Sequence, residues 1–178
     1  VFSQYAFAVY PIVAQAVNAE VREVPALGPD ADMPYGHDLE AFLEHIDENT
    51  GVVFIASPNN PTGTWFNDHA LDAFLARVPE EVLVVLDEAY KEYVVAPDYP
   101  DGLDWLNRRK RTIVLRTLSK AYGLAGIRLG YGIADPEIWD VVNRLRQPFN
   151  INNLSLVAAM AALDDTDHLN QSVALNRE

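Results

Sequence analysis

The sequence predicts a layered α/β fold with a mostly parallel sheet. Three unbroken apolar runs, at residues 52–57, 82–87 and 112–115, have the length and composition of buried strands. Segments with helical periodicity separate these runs, and strands that alternate with helices are typical of parallel sheets. The chain has 178 residues, 49% of them hydrophobic, which is enough to enclose one core.

The N-terminal part is predicted to contain a helix, a strand and a second helix. Apolar and aromatic residues recur at helical spacing between residues 3 and 18, although Pro11 is expected to bend or restart that helix. Residues 21–24 have the pattern of a short strand. After a loop rich in Pro, Gly and Asp, Asp38 is suited to cap a helix that runs to about Glu48.

Two further helices are predicted between the apolar runs. Asn67 or Asp68 can cap a helix that extends to about Val78, between the first and second runs. A short amphipathic helix near residues 103–108 precedes the third run. Each strand is then joined to the next by a helix, which is the usual connection between parallel strands.

The C-terminal part of the chain is predicted to be helical. Residues 135–137 (DPE) are typical of a helix start, since proline is tolerated in the first turn. This helix is expected to run to about Arg146, before Pro148. Asn152 or Asn153 then caps a last helix, which is rich in alanine.

Composition excludes several classes of function. Asp and Glu outnumber Lys and Arg by 26 to 13, and the net charge of −13 argues against binding to nucleic acid or to anionic membrane surfaces. The chain has no cysteine, and hence no disulfide or thiolate, which fits a reducing, cytoplasmic compartment. No apolar run has the length of a membrane span. No metal site is predicted, because the four histidines have no ligand spacing and each is expected to face solvent: His37, His45, His69 and His168.

Polar residues follow all three apolar runs at the point where each predicted strand ends. In a parallel sheet the carboxyl ends of the strands share one edge, and ligands bind in the crevice there. The segments concerned are 57–63, 87–90 and 117–120. We therefore expect one rim to carry Asn60, Asp87, Tyr90 and Lys120.

Lys120 is the residue of this rim best suited to covalent chemistry. The chain holds only three lysines against ten arginines, and Lys120 follows a strand within a segment of small and apolar residues. Partial removal from water disfavours the charged form of a lysine and makes its amine nucleophilic. A lysine whose stem is buried while its ammonium group reaches the surface fits the same pattern. The residues around Lys120 must distinguish these alternatives.

A lysine, an aspartate, a phenol and an asparagine together suit pyridoxal phosphate. This cofactor forms a Schiff base with a lysine and needs a carboxylate on its pyridine nitrogen. It also needs donors to its phenolate oxygen, and a cation with hydroxyl groups for its phosphate.

Three segments carry an explicit resemblance to a known family. SPNNPTG (57–63), DEAYKEY (87–93) and TLSKAYGLAGIRLGYG (117–132) resemble the signature blocks of fold-type-I pyridoxal-phosphate aminotransferases. The flanking segments FSQYAFAVYP (2–11) and RQPFNINNLS (146–155) are most similar to the histidinol-phosphate aminotransferase branch. The resemblance covers nearly the whole chain, and its blocks stand in the family's order.

The resemblance implies roles for four residues at the strand ends. Lys120 matches the Schiff-base lysine, which also acts as the general base, and Asp87 matches the partner of the pyridine nitrogen. Tyr90 and Asn60 match the two donors to the phenolate oxygen. Taken alone, Asp87 also fits a residue that caps the turn after its strand, Asn60 a turn former and Tyr90 a core tyrosine.

Four further residues match cofactor-binding positions of the family. Arg128 matches the arginine that pairs with the phosphate, whose oxygens suit a planar guanidinium. Thr117 and Ser119 match hydroxyl groups on the same phosphate, although both also fit ordinary polar residues at a strand end. Phe2 matches the aromatic ring that stacks on the pyridine, and ordinary core packing explains it equally.

The resemblance also implies the architecture. Residues 1–178 are expected to form the large, cofactor-binding domain of a three-layer α/β/α transferase, incomplete at both ends. The family's N-terminal glycine-containing phosphate loop and its C-terminal small domain, with an arginine for the substrate carboxylate, are expected to be absent from residues 1–178. A homodimer is expected for the full-length protein.

The activity implied by the resemblance is amino transfer from histidinol phosphate to 2-oxoglutarate in histidine biosynthesis. The substrates are then a small amino-acid-like molecule and a 2-oxo acid. The signature blocks are shared by aromatic amino-acid aminotransferases and by decarboxylases and lyases of the same fold, which stay open as alternatives. A non-catalytic aminotransferase-like fragment or module is a further alternative.

Overall fold

The computed structural model describes residues 1–178, with six strands and seven helices. The strands are Phe2–Ser3 (β1), Glu23–Val24 (β2), Val52–Ala56 (β3), Leu83–Asp87 (β4), Thr112–Thr117 (β5) and Gly130–Ala134 (β6). The helices are Val9–Ala16 (α1), Leu39–Glu44 (α2), Asp68–Leu75 (α3), Leu103–Leu106 (α4), Pro136–Leu145 (α5), Asn153–Asp164 (α6) and Thr166–Leu175 (α7).

The main sheet has the strand order β3-β4-β5-β6. The first three strands are parallel, joined by crossovers that contain α3 and α4, and β6 pairs antiparallel with β5 at one edge. Ala56 lies opposite Asp87, and Asp87 lies opposite Leu115, so the three strands end side by side. The prediction of a mostly parallel α/β sheet is confirmed.

Helices cover both faces of this sheet. Alternate strand residues such as Val53, Ile55 and Val84 are buried in the main core together with residues of α2, α3 and α4. Phe54 points to the opposite face, where its ring stacks on Tyr10 of α1 with 4.8 Å between centroids. The three-layer arrangement thus follows from the two-residue alternation of side chains along each strand.

Asparagine and aspartate caps fix where five of the helices begin, and that of α7 is Asp165, which accepts from His168 N at 3.0 Å. The side chains of Asp38, Asn67 and Asn152 each accept a hydrogen bond from a first-turn N–H, at 2.9–3.0 Å. Asp135 accepts in the same way from Glu137 N at 2.9 Å. The predicted helix starts near residues 38, 67, 135 and 152 are confirmed.

The N-terminal segment differs from its prediction. Phe2–Ser3 is a strand paired in parallel with Glu23–Val24, and the helix begins only at Val9. Pro11 therefore lies in the first helical turn, where its missing N–H costs no hydrogen bond. The predicted helix reached back to residue 3 because apolar residues in a short buried strand can fall at the same sequence spacing as those on one face of a helix.

The histidines do not all face solvent as expected. His69 and His168 are exposed, whereas His37 is largely enclosed between the rings of Phe42 and Phe66. Its Nε2–H donates to the Ala56 carbonyl oxygen at 2.8 Å, and its buried Nδ1 has no partner. Burial lowers the pKa of His37 to about 4.

None of the seven helices combines the length and apolar character needed to cross a bilayer.

Candidate active site

The carboxyl ends of β3, β4 and β5 lie side by side, and a cavity of about 550 Å³ opens beside the last two. A cavity of this volume is large enough to hold a small-molecule ligand. The structure brings five of the eight predicted site residues onto its wall: Asp87, Thr117, Ser119, Lys120 and Arg128.

Asp87 is the last residue of β4, and both of its carboxylate oxygens accept hydrogen bonds. Oδ2 accepts from the Tyr10 hydroxyl at 2.7 Å, and Oδ1 accepts from Ala89 N at 3.1 Å. Burial, and then the charge of Asp87, raise the pKa of Tyr10 well above its usual range, so the phenol stays a donor. The two donors fix the plane of the Asp87 carboxylate.

Glu88 points to the other face of the sheet and belongs to a separate ionic network. It is 4% exposed, pairs with Arg116 at 2.8 Å and accepts a hydrogen bond from Gly102 N at 2.6 Å. Burial raises the pKa of Glu88, and the charge of Arg116 opposes that rise. Arg116 also pairs with Asp101 at 2.6 Å, and Asp101 with Lys91.

This network anchors the segment that follows Tyr90. Asp101 is held from both sides, by Arg116 of β5 and by Lys91 beside Tyr90. The sequence pattern did not identify this ionic network, since its partners are up to 28 residues apart. The only signal was a second carboxylate directly after Asp87 and an arginine near the end of a buried strand.

Lys120 is exposed, contrary to the expectation that it is partly removed from water. The buried residues of its turn are Leu118 and Ala121, which anchor the backbone and leave the lysine side chain on the rim. Its ammonium nitrogen lies 5.0 Å from the centroid of the Tyr90 ring. At this distance the cation is attracted to the ring face, which holds the amine near the phenol.

Asn60 and Tyr90 line a neighbouring cavity of about 590 Å³ rather than the one that holds Asp87. Tyr90 connects the two cavities, because its ring also contacts Lys120. The loop that carries Asn60 is held by its neighbour Asn59, which is buried and donates to Tyr5 O at 2.6 Å and to Thr62 Oγ1 at 2.9 Å. Asn60 thus has a firm support beside the predicted site.

Arg128 is the arginine of the first cavity that has no carboxylate partner. Its guanidinium donates to the Ala125 carbonyl oxygen at 2.8 Å and forms no salt bridge, whereas Arg116 on the same wall is paired twice. Thr117 and Ser119 lie close to each other, since Thr117 Oγ1 accepts from Ser119 N at 3.1 Å. An unpaired guanidinium and two hydroxyl groups on one cavity wall suit a phosphate group.

Phe2 is not among the residues that line this cavity. It is 6% exposed, pairs with β2 and packs in a small cluster with Tyr10 and Ala56. Phe7 lines the cavity instead, is 42% exposed and meets Tyr10 edge to face with 5.9 Å between centroids.

The donor set suits a planar ligand that carries a phosphate, a ring nitrogen and a group that reacts with amines. Lys120 supplies the amine, Asp87 a fixed carboxylate and Arg128 an available guanidinium, all on one cavity. The exposed ring of Phe7 on the same wall offers a surface on which a planar ligand can stack.

Comparison with known proteins gives one consistent result. The family described as "Aminotransferase class I and II" matches residues 1–178. The chain is 59% identical over 176 residues to histidinol-phosphate aminotransferase 2 of Pseudomonas fluorescens, covering 99% of the chain and 46% of that protein. Against histidinol-phosphate aminotransferase of Sinorhizobium meliloti, solved in complex with pyridoxal-5'-phosphate, the TM-score is 0.87 with 33% identity, covering 97% of the chain and 45% of that structure.

A more distant structure shares the fold alone. The L-threonine-O-3-phosphate decarboxylase of Porphyromonas gingivalis matches with a TM-score of 0.76 and 22% identity, over 94% of the chain and 47% of that structure. In each of these comparisons the chain spans about half the length of the protein that it matches.

Proposed function

The chain belongs to the class I and II aminotransferase family, and on this premise we propose that it is the cofactor-binding half of a pyridoxal-phosphate-dependent histidinol-phosphate aminotransferase. The observation that carries the proposal is the cavity at the ends of β4 and β5, where Lys120, Asp87 and Arg128 meet. Asp87 comes from one signature block and Lys120 and Arg128 from another, and together they supply an amine, a carboxylate and a cation.

The residues present fit pyridoxal phosphate. Lys120 would hold it covalently, Asp87 would accept from its pyridine nitrogen, and Phe7 would stack on its ring. Arg128, with Thr117 and Ser119, would hold the phosphate, while Tyr90 and Asn60 would reach the phenolate oxygen from the adjoining cavity. When bound, the cofactor supplies an electron sink that makes the Cα proton of an amino substrate acidic.

The chemistry left to the chain is proton movement and orientation. Lys120 Nζ is exposed on the rim, so it can take the proton from substrate Cα and return it after rearrangement. Tyr90 lies against the same nitrogen and can limit where it moves. Asp87, fixed by two donors, keeps its carboxylate directed as the charge of the ring changes.

The substrate assignment is supported by the relatives. Histidinol-phosphate aminotransferases match at up to 60% identity over 99% of the chain. We therefore assign histidinol phosphate as the amino donor and 2-oxoglutarate as the acceptor, in histidine biosynthesis. Aromatic amino acids are the alternative donors, and a panel that compares kcat/KM for histidinol phosphate and phenylalanine in the full-length protein separates the two. A higher value for phenylalanine contradicts the assignment.

The experiment that tests the cofactor chemistry is reduction with borohydride followed by peptide mapping of the full-length protein. The chain provides internal controls in Lys91, which is paired with Asp101, and Lys110, which lies outside the cavity. Label on Lys120 alone supports the proposal. Label on Lys91 or Lys110, or no label after incubation with pyridoxal phosphate, contradicts it.

A homodimer in the cytoplasm completes the proposal. Leu154, Val157 and Met160 follow one another at three-residue spacing on α6 and are 83%, 67% and 70% exposed. Apolar side chains in a row on one helix are typical of a contact surface. We assign a second copy of the full-length protein as the partner that covers this surface. Light scattering that gives the mass of one subunit contradicts the assignment.

A chain without cysteine fits the reducing cytoplasm.

A further inference from the structure

Tyr10 is buried directly behind the cavity and contacts two residues of its wall. It is 4% exposed, and its hydroxyl donates to Asp87 Oδ2 at 2.7 Å. Its ring stacks on Phe54 of β3, with an angle of 9° between the planes, and meets the ring of Phe7 edge to face. Tyr10 therefore links α1, the sheet and the aromatic wall of the cavity.

The hydrogen bond determines how Asp87 is oriented. Asp87 ends its strand, and beyond it the chain turns away, so strand pairing alone leaves the carboxylate free to rotate. The Ala89 amide at 3.1 Å contacts one oxygen, and Tyr10 contacts the other. Tyr10 itself is held by Phe54, whose strand pairs with β4. The phenol is thus a rigid donor rather than a mobile one.

The proton on Tyr10 is retained across the physiological pH range. Burial is the main cause that raises the pKa of the phenol, and the neighbouring Asp87 charge adds to it. A phenol that stays protonated can only donate to a carboxylate.

We propose that Tyr10 is a positioning residue, which holds the Asp87 carboxylate in the orientation that receives the pyridine nitrogen of the cofactor. This inference rests on the proposed function. Tyr10 does not touch the cofactor itself, since Asp87 and Phe7 stand between it and the cavity. The effect of its hydroxyl passes through Asp87, and this distinguishes Tyr10 from a residue that merely fills the core.

The test is a double-mutant cycle on the full-length protein, with cofactor binding as the readout. Pyridoxal phosphate is titrated into the apoprotein of the wild type, Tyr10→Phe, Asp87→Asn and the double variant. Tyr10→Phe keeps the ring on Phe54 and removes only the hydroxyl. We expect its affinity for the cofactor to fall on the order of tenfold, as for other residues that orient a ligating group. In the Asp87→Asn background the same change is expected to have little further effect.

Tyr5→Phe is the matched control. Tyr5 is 39% exposed, and its hydroxyl makes no hydrogen bond within the chain. The Tyr5→Phe variant is therefore expected to bind pyridoxal phosphate as tightly as the wild type does. The pH dependence of the bound cofactor's absorption is recorded for each variant. We expect it to shift in Tyr10→Phe and to stay unchanged in Tyr5→Phe.

The outcomes separate this inference from the proposed function. If the wild type does not bind pyridoxal phosphate, the proposed function is wrong. If the wild type binds and Tyr10→Phe binds equally well, or if the loss is the same in both backgrounds, Tyr10 does not act through Asp87. If Tyr10→Phe does not fold, Tyr10→His keeps a ring with an N–H donor, and it must bind more tightly than Tyr10→Leu for the inference to hold.

Discussion

Asp87 and Glu88 are consecutive carboxylates that serve opposite faces of one sheet. Asp87 accepts a hydrogen bond from Tyr10 at 2.7 Å on the cavity side, whereas Glu88 pairs with Arg116 at 2.8 Å on the side of the main core. The two-residue alternation of strand side chains makes this separation unavoidable. One residue is thereby available for a ligand, and its neighbour is committed to holding the strand ends together.

We expect Arg116→Met to lower the free energy of unfolding of the full-length protein by about 3 kcal/mol, because breaking a buried pair leaves an uncompensated charge. Arg116 and Glu88 have only 13% and 5% of their side-chain surface exposed. Urea denaturation measures the change. Arg77→Met is the matched control, since it breaks a solvent-exposed pair with Glu40 whose loss is expected to change stability little. Equal losses in the two variants contradict a structural role for the Glu88 pair.

Gly102→Ala is expected to destabilise the protein by about 1–3 kcal/mol through overpacking. A Cβ at this position would lie 2.6 Å from Glu88 Oε1 and 2.9 Å from a methyl group of Val114. Gly51→Ala is the control, because its Cβ would have no neighbour within 4 Å. Thermal unfolding compares the two. A Gly102→Ala variant as stable as Gly51→Ala shows that the Glu88 carboxylate can move aside at no cost.

The strand ends were predictable from the sequence because parallel strands are buried on both faces and appear as unbroken apolar runs. The polar residues that end those runs, such as Asp87 and Lys120, could be placed on one rim without any knowledge of packing. Phe7 could not, since its position depends on the pairing of Phe2–Ser3 with a strand 21 residues further on. The exposure of Lys120 also depends on how its turn packs.

His37 is expected to make stability depend on pH. Its pKa is about 4 when folded and 6.5 in the unfolded chain, so the unfolded state binds the proton more strongly. The stability that neutral His37 contributes is therefore fully present above pH 6.5. It is lost as the pH falls from 6.5 to 4, and the loss amounts to about 3 kcal/mol. The physical cause is burial, which disfavours the charged imidazolium, and a proton on the buried Nδ1 would find no acceptor.

The measurement for His37 is the unfolding free energy between pH 4 and 7 for the wild type and for His37→Gln. The variant should show a shallower decline over this range, since its side chain does not titrate. His69→Gln serves as the control, because His69 is exposed and its slope should match that of the wild type. A His37→Gln slope equal to that of the wild type shows that His37 is not the group responsible.

Arg128→Met is expected to discriminate between two forms of the cofactor. The variant should bind pyridoxal phosphate about 2 kcal/mol more weakly, a factor of about thirty, because a charge-assisted hydrogen bond to the phosphate is lost. Pyridoxal, which lacks the phosphate, should bind the variant and the wild type equally. Arg128 has a φ of 54°, in the left-handed region that glycine adopts more readily than other residues. Methionine is chosen because, like arginine, it has a Cβ, so the substitution does not make this backbone conformation easier to adopt. Titration of the full-length apoprotein with each compound measures both effects.

Two further variants sharpen the Arg128 result. Arg128→Lys keeps the charge without the planar fork and should lie between the wild type and the methionine variant. Arg144→Met removes an exposed arginine of α5 that lies outside the cavity, and should bind both compounds as the wild type does. If Arg128→Met weakens pyridoxal and pyridoxal phosphate by the same factor, the guanidinium does not contact the phosphate. The paired Arg116 would then be the remaining arginine on the cavity wall, and its two carboxylate partners would have to release it first.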